Sequence, residues 1–313
     1  MNSPDIHAQP PHQPVLYHEI IKALRPRPGE HYVDATVGAG GHAWGVLNAS
    51  GPNGTLLGLD IDPQALAIAG QRLSGFQGRF TLVLASYTTL LHQLEQLGWE
   101  GVDGIVIDLG VSSMQLDTPE RGFSFRADGP LDMRFNPAGE ITAATLVNTL
   151  PEAQLAELIW RYGEERLSRR IAKAICGARP LETTGQLAAV IRGAVKGSRE
   201  RIDPATRTFQ ALRIAVNQEL RAVEDFLPQA VSALKPGGHL AVIAFHSLED
   251  RIVKHYFRQE SRDCICPPGQ PVCTCGHKAV LKEVNRRPII ADQTEIETNP
   301  RARSARLRII EKI

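Results

Sequence analysis

A chain of 313 residues can bury a full core as one large domain or two ordinary ones, and 42% hydrophobic with 22% charged residues is the composition of a soluble globular protein. A formal net charge of +1 excludes no partner class, because local patches hide inside a neutral total, but no apolar run of about 18 residues exists to span a membrane. Five cysteines are too few for a disulfide framework and place the chain in a reducing, cytoplasmic setting.

Residues 1–14, "MNSPDIHAQPPHQP", are polar and proline-rich, lack the apolar core of a signal peptide, and read as a disordered tail. Short β-rich runs then follow at "HYVDAT" (31–36), "TLLGLDID" (55–62), "RFTLVLAS" (79–86) and "VDGIVIDLG" (102–110). Asp62 is placed to cap a helix that starts at Pro63. Near-continuous apolar strands alternating with helices predict a mainly parallel, doubly wound α/β sheet covered on both faces.

The alternation then stops. "LDTPERGFSFRADGPLDMRFN" (116–136) is irregular and rich in Gly, Pro and charge, and 149–196 reads as helices, with capping-box spacing at Thr149/Glu152 and Thr183/Gln186. A long helical stretch follows Asp203-Pro204, and "KPGGHLAVIAFHS" (235–247) restores a sheet strand. The expectation is an all-helical second domain, 116–216, inserted into a nucleotide-cofactor domain formed by 15–115 and 217–313. No internal repeat is visible.

Gly38-Ala39-Gly40-Gly41-His42-Ala43 fits the dinucleotide pattern G-x-G-x-x-G/A, with Asp60 where a ribose-binding acid belongs. A dinucleotide is one reading and a ligandless strand-to-helix turn is another. The acids favour a third. Asp34, Asp60 and Asp108 end the first, second and fourth strands, around the crevice at the switch point of such a sheet. Two like charges about 6 Å apart repel by a few kcal/mol at an effective dielectric near 20, a cost for a pyrophosphate but a gain for the sulfonium and ammonium of S-adenosylmethionine.

The strings "HQPVLYHEII" (12–21), "VGAGGH" (37–42), "LDIDPQAL" (59–66), "DLGVSSMQLDTPERGFSFRADGPLDMRF" (108–135), "YGEERLSRRIAKAI" (162–175), "PATRTFQALRIAVNQEL" (204–220), "FHSLEDRIVK" (245–254) and "NPRARSARLR" (299–308) resemble those of the bacterial small-subunit ribosomal RNA cytosine-N4 methyltransferase family, over residues 12–311. The resemblance implies a class I, Rossmann-like methyltransferase fold with a helical insertion. It also implies S-adenosyl-L-methionine as donor, and as acceptor a cytidine in the decoding region of 16S ribosomal RNA within an assembled small subunit. Position by position it puts cofactor contacts on Gly40, Gly41, His42, Asp60, Tyr87, Asp108 and Gln115. Each has a plainer alternative: His42 as a helix cap, Tyr87 as packing, Gln115 as a loop amide. Where many amino methyltransferases carry Asp/Asn-Pro-Pro-Tyr/Phe, this chain has Asp108-Leu109-Gly110-Val111, so another ring must hold the base. Asp108, or the carbonyls of Leu109 and Gly110, are the candidate acceptors from the target amine. His246, at the end of "AFHS", is either a proton acceptor or a hydrogen-bonded strand-end histidine.

For RNA, Phe123, Phe125 and Phe135 lie among Arg121, Arg126 and Arg134, a mixture suited to a splayed base and its phosphates; loop anchoring is the alternative. Lys196, Arg199, Arg201 and Arg207 form one basic patch, and Arg301, Arg303, Arg306 and Arg308 a second; each suits phosphate contacts, with a solvated basic face as the alternative. Arg306 and Arg308 alternate with Leu307 and Ile309, as in a strand with one wet face. Finally, Cys264, Cys266, Cys273 and Cys275 form two C-x-C pairs that are compatible either with one structural zinc or with a reduced thiol loop, while Cys176 reads as a buried helix residue.

Overall fold

The computed structural model describes residues 14–195, 203–270 and 272–313, so the expected tail, 1–14, lies outside the described residues except for Pro14. The chain divides into two compact units, one ending at Leu109 and resuming over Ala222–Ile313, the other Gly110–Arg221.

The first unit is built on seven strands: β1 (His31–Asp34), β2 (Thr55–Asp60), β3 (Phe80–Leu84), β4 (Val102–Asp108), β5 (Leu234–Ala244), β6 (Leu281–Glu283) and β7 (Arg306–Lys312). Their order is β3-β2-β1-β4-β5-β7-β6. β1 to β5 pair in parallel, and β7 enters antiparallel between β5 and β6. The helices in chain order are α1 (Tyr17–Leu24), α2 (Gly41–Ala49), α3 (Pro63–Arg72), α4 (Leu90–Gln96), α5 (Ser113–Asp117), α6 (Ala143–Thr149), α7 (Glu152–Gly163), α8 (Ser168–Gly177), α9 (Thr184–Ala194), α10 (Ala205–Asn217), α11 (Glu219–Ala233), α12 (Ser247–Glu260) and α13 (Gln293–Thr298).

The near-continuous apolar strands are explained by burial on both faces. Successive side chains point to opposite sides of a strand. Val33, Leu57, Leu59, Ile105 and Ile107 therefore pack on one side with Val223, Phe226, Leu227 and Ala230 of α11. Tyr32, Leu56, Val106, Ala241 and Ile243 pack on the other with Ile20 and Leu24 of α1 and Ala43, Val46 and Leu47 of α2. α3 begins as its sequence implied: Asp62 Oδ1 accepts from Gln64 N–H, and Pro63 occupies the first turn.

The expected wet face of β7 is corrected. Arg306 is exposed, but Leu307 to Ile310 are buried, Arg308 included. Both faces of β7 are packed: Ile310 belongs to the core on the α11 side of the sheet, and Leu307 and Ile309 to the core on the α1 and α2 side. Arg308 is tolerated there because Asp250 of α12 takes both of its nitrogens, Nε to Oδ1 at 2.6 Å and a terminal nitrogen to Oδ2 at 3.1 Å.

The second unit packs Leu155 and Ile159 of α7, Ile171 and Ile175 of α8, Leu187 and Ile191 of α9, and Phe209 and Leu212 of α10 into one core. The Thr183/Gln186 capping box is present at α9. The one expected at Thr149 is not. Thr149 ends α6, its hydroxyl donating to Thr145 O, and Pro151 precedes α7. The long helical stretch after Pro204 breaks at Gln218, whose φ of 50° is left-handed, between α10 and α11. Asn217 anchors that break: its side chain donates to Met133 O and accepts from Phe135 N–H, both at 2.8 Å. These bonds, and the Ser112–Gln115 capping box of α5, explain why the units part at 109/110 and 221/222 instead of the expected 115/116 and 216/217. Among the described residues no helix is long and apolar enough to cross a membrane.

Candidate active site

The turn after β1 is held by its own backbone. Beyond the strand, Ala35 N–H donates to Val106 O and Val37 N–H to Leu59 O, both 2.8 Å, which draws the chain toward the gap between β2 and β4. Gly40 caps α2 with φ of 77°, and a Cβ there would meet Ala69 Cα at 3.2 Å. Gly41 has a different reason from the one expected. A Cβ on it would lie 2.8 Å from Pro14 Cγ, so it admits the incoming N-terminal segment. Gly38 has a φ of 50°, a Cβ on it would lie 3.8 Å from Thr36 O, and its N–H donates to Asp60 Oδ2 at 2.9 Å.

His42 serves that same segment. It is buried, and its Nε2–H donates to Val15 O at 3.0 Å. Burial, only partly opposed by that bond, pushes its pKa down to about 4, so the ring is neutral. The structure thus uses His42 as a tie between α2 and the residues before α1, a role neither sequence reading anticipated.

The three acids do converge. Asp34 pairs in register with Gly58 of β2 and Val106 of β4, so Asp60 and Asp108 each lie two residues beyond a register partner of Asp34, on the same side of the sheet. Asp34 is buried; its carboxyl is raised to about 7, first by burial and further by Asp60, against the N–H bonds of Thr36 and Ala43. Asp60 is also raised by burial, although its oxygens accept from Gly38 and Asp62 N–H groups at 2.9 Å each. Asp108 goes furthest, to about 8, first through burial and then through Asp34 and Glu249. As a residue it keeps some exposure, but Oδ1 is fully enclosed and has no hydrogen-bond partner among the described residues. Its N–H donates to Thr36 Oγ1 at 2.7 Å, which fixes the strand end.

Glu249 is a functional candidate that sequence reasoning missed. It is almost fully buried, adds negative charge to Asp108, and closes a capping box at α12: Oε2 accepts from His246 N–H at 3.4 Å, as well as from Phe245 N–H at 2.9 Å, and His246 Nδ1 accepts from Glu249 N–H. The signal was legible as a polar residue followed three positions later by Glu at a strand end. His246 is the helix cap through Nδ1; its Nε2 lies 3.1 Å from Glu249 Oε1 but is buried without a hydrogen bond among the described residues. Tyr87 opens a turn directly after β3, its ring edge-on to Phe226 at 5.3 Å between centroids. Gln115 belongs to the second unit, where its side chain accepts from Ser112 N–H.

The loop aromatics and arginines are spent largely on each other. Phe123 is buried and stacks on Phe135 at 5.4 Å, under Arg121, which donates to the carbonyls of Arg134 and Phe135. Arg134 is paired with Asp132 at 2.6 Å, and Phe125 packs edge-on to Phe209. Arg126 remains exposed. In the basic patches, Arg207 pairs with Glu165, Arg301 is half-buried and Arg303 exposed; Lys196, Arg199 and Arg201 lie outside the described residues.

A parallel sheet reversed at β1/β4, an antiparallel β7 inserted beside β5, a glycine turn after β1 and acids closing β1, β2 and β4 together define a class I methyltransferase. The chain belongs to the MraW methylase family, whose family model matches residues 9–313. It is 51% identical over 308 residues to the ribosomal RNA small subunit methyltransferase H of Heliobacterium mobile, covering 96% of this chain and 99% of that one. It is 52% identical over 303 residues to the same-named protein of Dehalococcoides mccartyi, covering 97% and 87%. A solved rRNA methylase from Streptococcus thermophilus overlaps with 12% identity, 95% and 93% coverage and a TM-score of 0.42; the fold assignment rests on the strand order and not on that overlap.

Proposed function

We propose that this methyltransferase moves the methyl group of S-adenosylmethionine onto the exocyclic N4 amine of one cytidine in the decoding region of small-subunit (16S) ribosomal RNA. The substrate class follows the names of the two relatives above, each about half identical to this chain over nearly its whole length. The donor follows from the site. Three strand-end acids whose proton affinity is raised first by burial, with Asp60 adding to Asp34 and Asp34 to Asp108, fit a cationic guest and disfavour a pyrophosphate. The observation that carries the reading is the enclosed, unpartnered Asp108 Oδ1.

When bound, the cofactor supplies an electrophilic methyl group on a positively charged sulfur. Asp60 has lone pairs left for a ribose diol after its two N–H bonds, and the turn from Gly38 to Gly40 offers bare backbone. Asp34 adds negative charge at the floor of the crevice, and Tyr87 offers a ring just after β3. The acceptor amine is a poor nucleophile because its lone pair is delocalised into the pyrimidine. Asp108 Oδ1 accepts a hydrogen bond from it, draws its hydrogens out of the ring plane and takes the proton lost as the new N–C bond forms. A carboxyl raised to about 8 suits that proton better than an ordinary aspartate would. His246 keeps its cap and positions the β5–α12 junction.

In this reading the helical unit recognises the RNA, with Arg126 as a phosphate contact, Arg303 of the first unit is a second phosphate contact, and the acceptor is presented by an assembled small subunit. The test is nucleoside mapping of ribosomal RNA from cells with and without this protein. Loss of one N4-methylcytidine in the deletion is expected; an unchanged signal overturns the assignment.

A further inference from the structure

Twenty residues separate α12 from β6. Val280 N–H donates to Glu260 O at 2.9 Å and closes the base of this excursion, yet the described residues between them form neither helix nor strand. Nor do they bury apolar side chains: Ile265 is 43% and Val272 71% exposed. A loop longer than about 12–15 residues without regular structure is uncommon in a compact domain unless function or a cross-link orders it.

Here the only concentrated chemistry is sulfur. Cys264, Cys266, Cys273 and Cys275 place their Sγ atoms within 4.8 Å of one another. Cys273 and Cys275 lie 3.5 Å apart, and Cys275 and Cys264 3.9 Å. A disulfide holds its sulfurs at about 2.05 Å, so these are not bonded pairs. Four thiolates around one zinc, each at about 2.3 Å, stand about 3.8 Å from one another at the edges of a tetrahedron. The observed separations bracket that edge. Two backbone amides also point at sulfur, Ile265 N–H at Cys275 Sγ and Thr274 N–H at Cys266 Sγ, both 3.5 Å, the arrangement by which an outer shell supports thiolate charge. His277 lies outside this group of four, and its Nε2–H donates to Gln259 O at 3.1 Å.

We propose that the α12–β6 loop is a structural zinc site, in which Cys264, Cys266, Cys273 and Cys275 hold one Zn²⁺ as a closed four-thiolate tetrahedron. Two cross-linked C-x-C hairpins then replace the apolar core the loop lacks. All four positions are filled by protein, so no open site for a substrate remains and the metal takes no part in methyl transfer. Binding is coupled to ordering of the loop: each thiol releases its proton as its bond to zinc forms.

Metal analysis of the full chain, expressed in zinc-replete medium and purified without chelator, is the test. About one zinc per chain is expected, with replacement by cobalt(II) giving the spectrum of a tetrahedral four-sulfur site. The double variant Cys273→Ser/Cys275→Ser should fall below about 0.2 zinc per chain, and Cys176→Ser should keep the full complement. Below about 0.2 zinc in the unaltered protein, iron in its place, or the four cysteines recovered as disulfides would each overturn the proposal. Because the unaltered protein is assayed first, failure of the double variant to fold leaves the test intact, and nucleoside mapping is indifferent to its result.

Discussion

Binding of S-adenosylmethionine should expel protons and tighten with pH, because the guest must displace protons that crowding holds on the acids. With Asp108 at about 8 and Asp34 at about 7, both carboxyls carry substantial protonation near neutrality in the cofactor-free protein. A cation about 4–6 Å from two carboxylates favours their ionised forms by several kcal/mol at an effective dielectric near 20. Ionising Asp108 on binding then costs about 1.4 kcal/mol at pH 7 and about 2.7 kcal/mol at pH 6, and nothing well above pH 8. Affinity should therefore rise about tenfold from pH 6 to 7 through Asp108 alone, steeper where Asp34 also ionises, and level off above about pH 8. Titration calorimetry at several pH values, in buffers of different ionisation enthalpy, reads both the affinity and the protons released. Asp108→Asn should reduce the slope by about one log unit per pH unit below pH 7, and S-adenosylhomocysteine, which lacks the sulfonium charge, should show a weaker dependence. An affinity flat within about twofold from pH 6 to 8, with heats independent of buffer, would refute the electrostatic argument.

The same raised acids act on stability. Their folded pKa values lie above the ordinary carboxylate range, so the cofactor-free fold is most stable at low pH on their account and loses that stability as pH rises through about 7 and 8; Asp108→Asn should raise the melting temperature at pH 8.5. His42 has the opposite sign. Its value is depressed to about 4, so its contribution is full above pH 6.5 and falls by about 3 kcal/mol on the way to pH 4, a slope that His42→Asn should abolish in urea unfolding. Asp250→Ala should cost about 3–5 kcal/mol by leaving Arg308 buried without a partner, whereas Asp250→Leu with Arg308→Met should recover most of it; a loss under about 1 kcal/mol in the single variant counts against the pair. Gly41→Ala should destabilise by about 1–3 kcal/mol through its clash with Pro14, and an unchanged unfolding midpoint would show that the N-terminal segment does not pack there.

The sequence was most legible where local physics decides. Asp62-Pro63 and Thr183-x-x-Gln186 satisfy orphan amides with side chains three or fewer residues away, so spacing alone locates those helix starts. β1 to β4 were legible because strands buried on both faces leave unbroken apolar runs, and the acids stood out as charges at the ends of those runs. Reasoning failed where a distant partner decides. Arg308 looked wet because its cover, β6 and Asp250, comes from elsewhere in the chain. Gly41 and His42 also meet Pro14 and Val15, contacts that the local pattern does not encode. The break at Gln218 follows no glycine or proline; the bonds of Asn217 to the 133–135 loop impose it. Glu249 escaped notice because its role depends on proximity to Asp108, which no local spacing encodes.

At the centre stands Asp108, whose enclosed Oδ1 receives the proton of a cytidine amine as that amine is methylated. Purified protein, isotopically labelled S-adenosylmethionine and small ribosomal subunits lacking the modification test it together, with the product mapped by mass spectrometry and Asp108→Asn run alongside. The account requires label on one cytidine N4, with turnover reduced about 10²-fold or more in the variant while the fold is retained. Label on a ring carbon, or turnover of the variant within a few-fold of the unaltered protein, would contradict it.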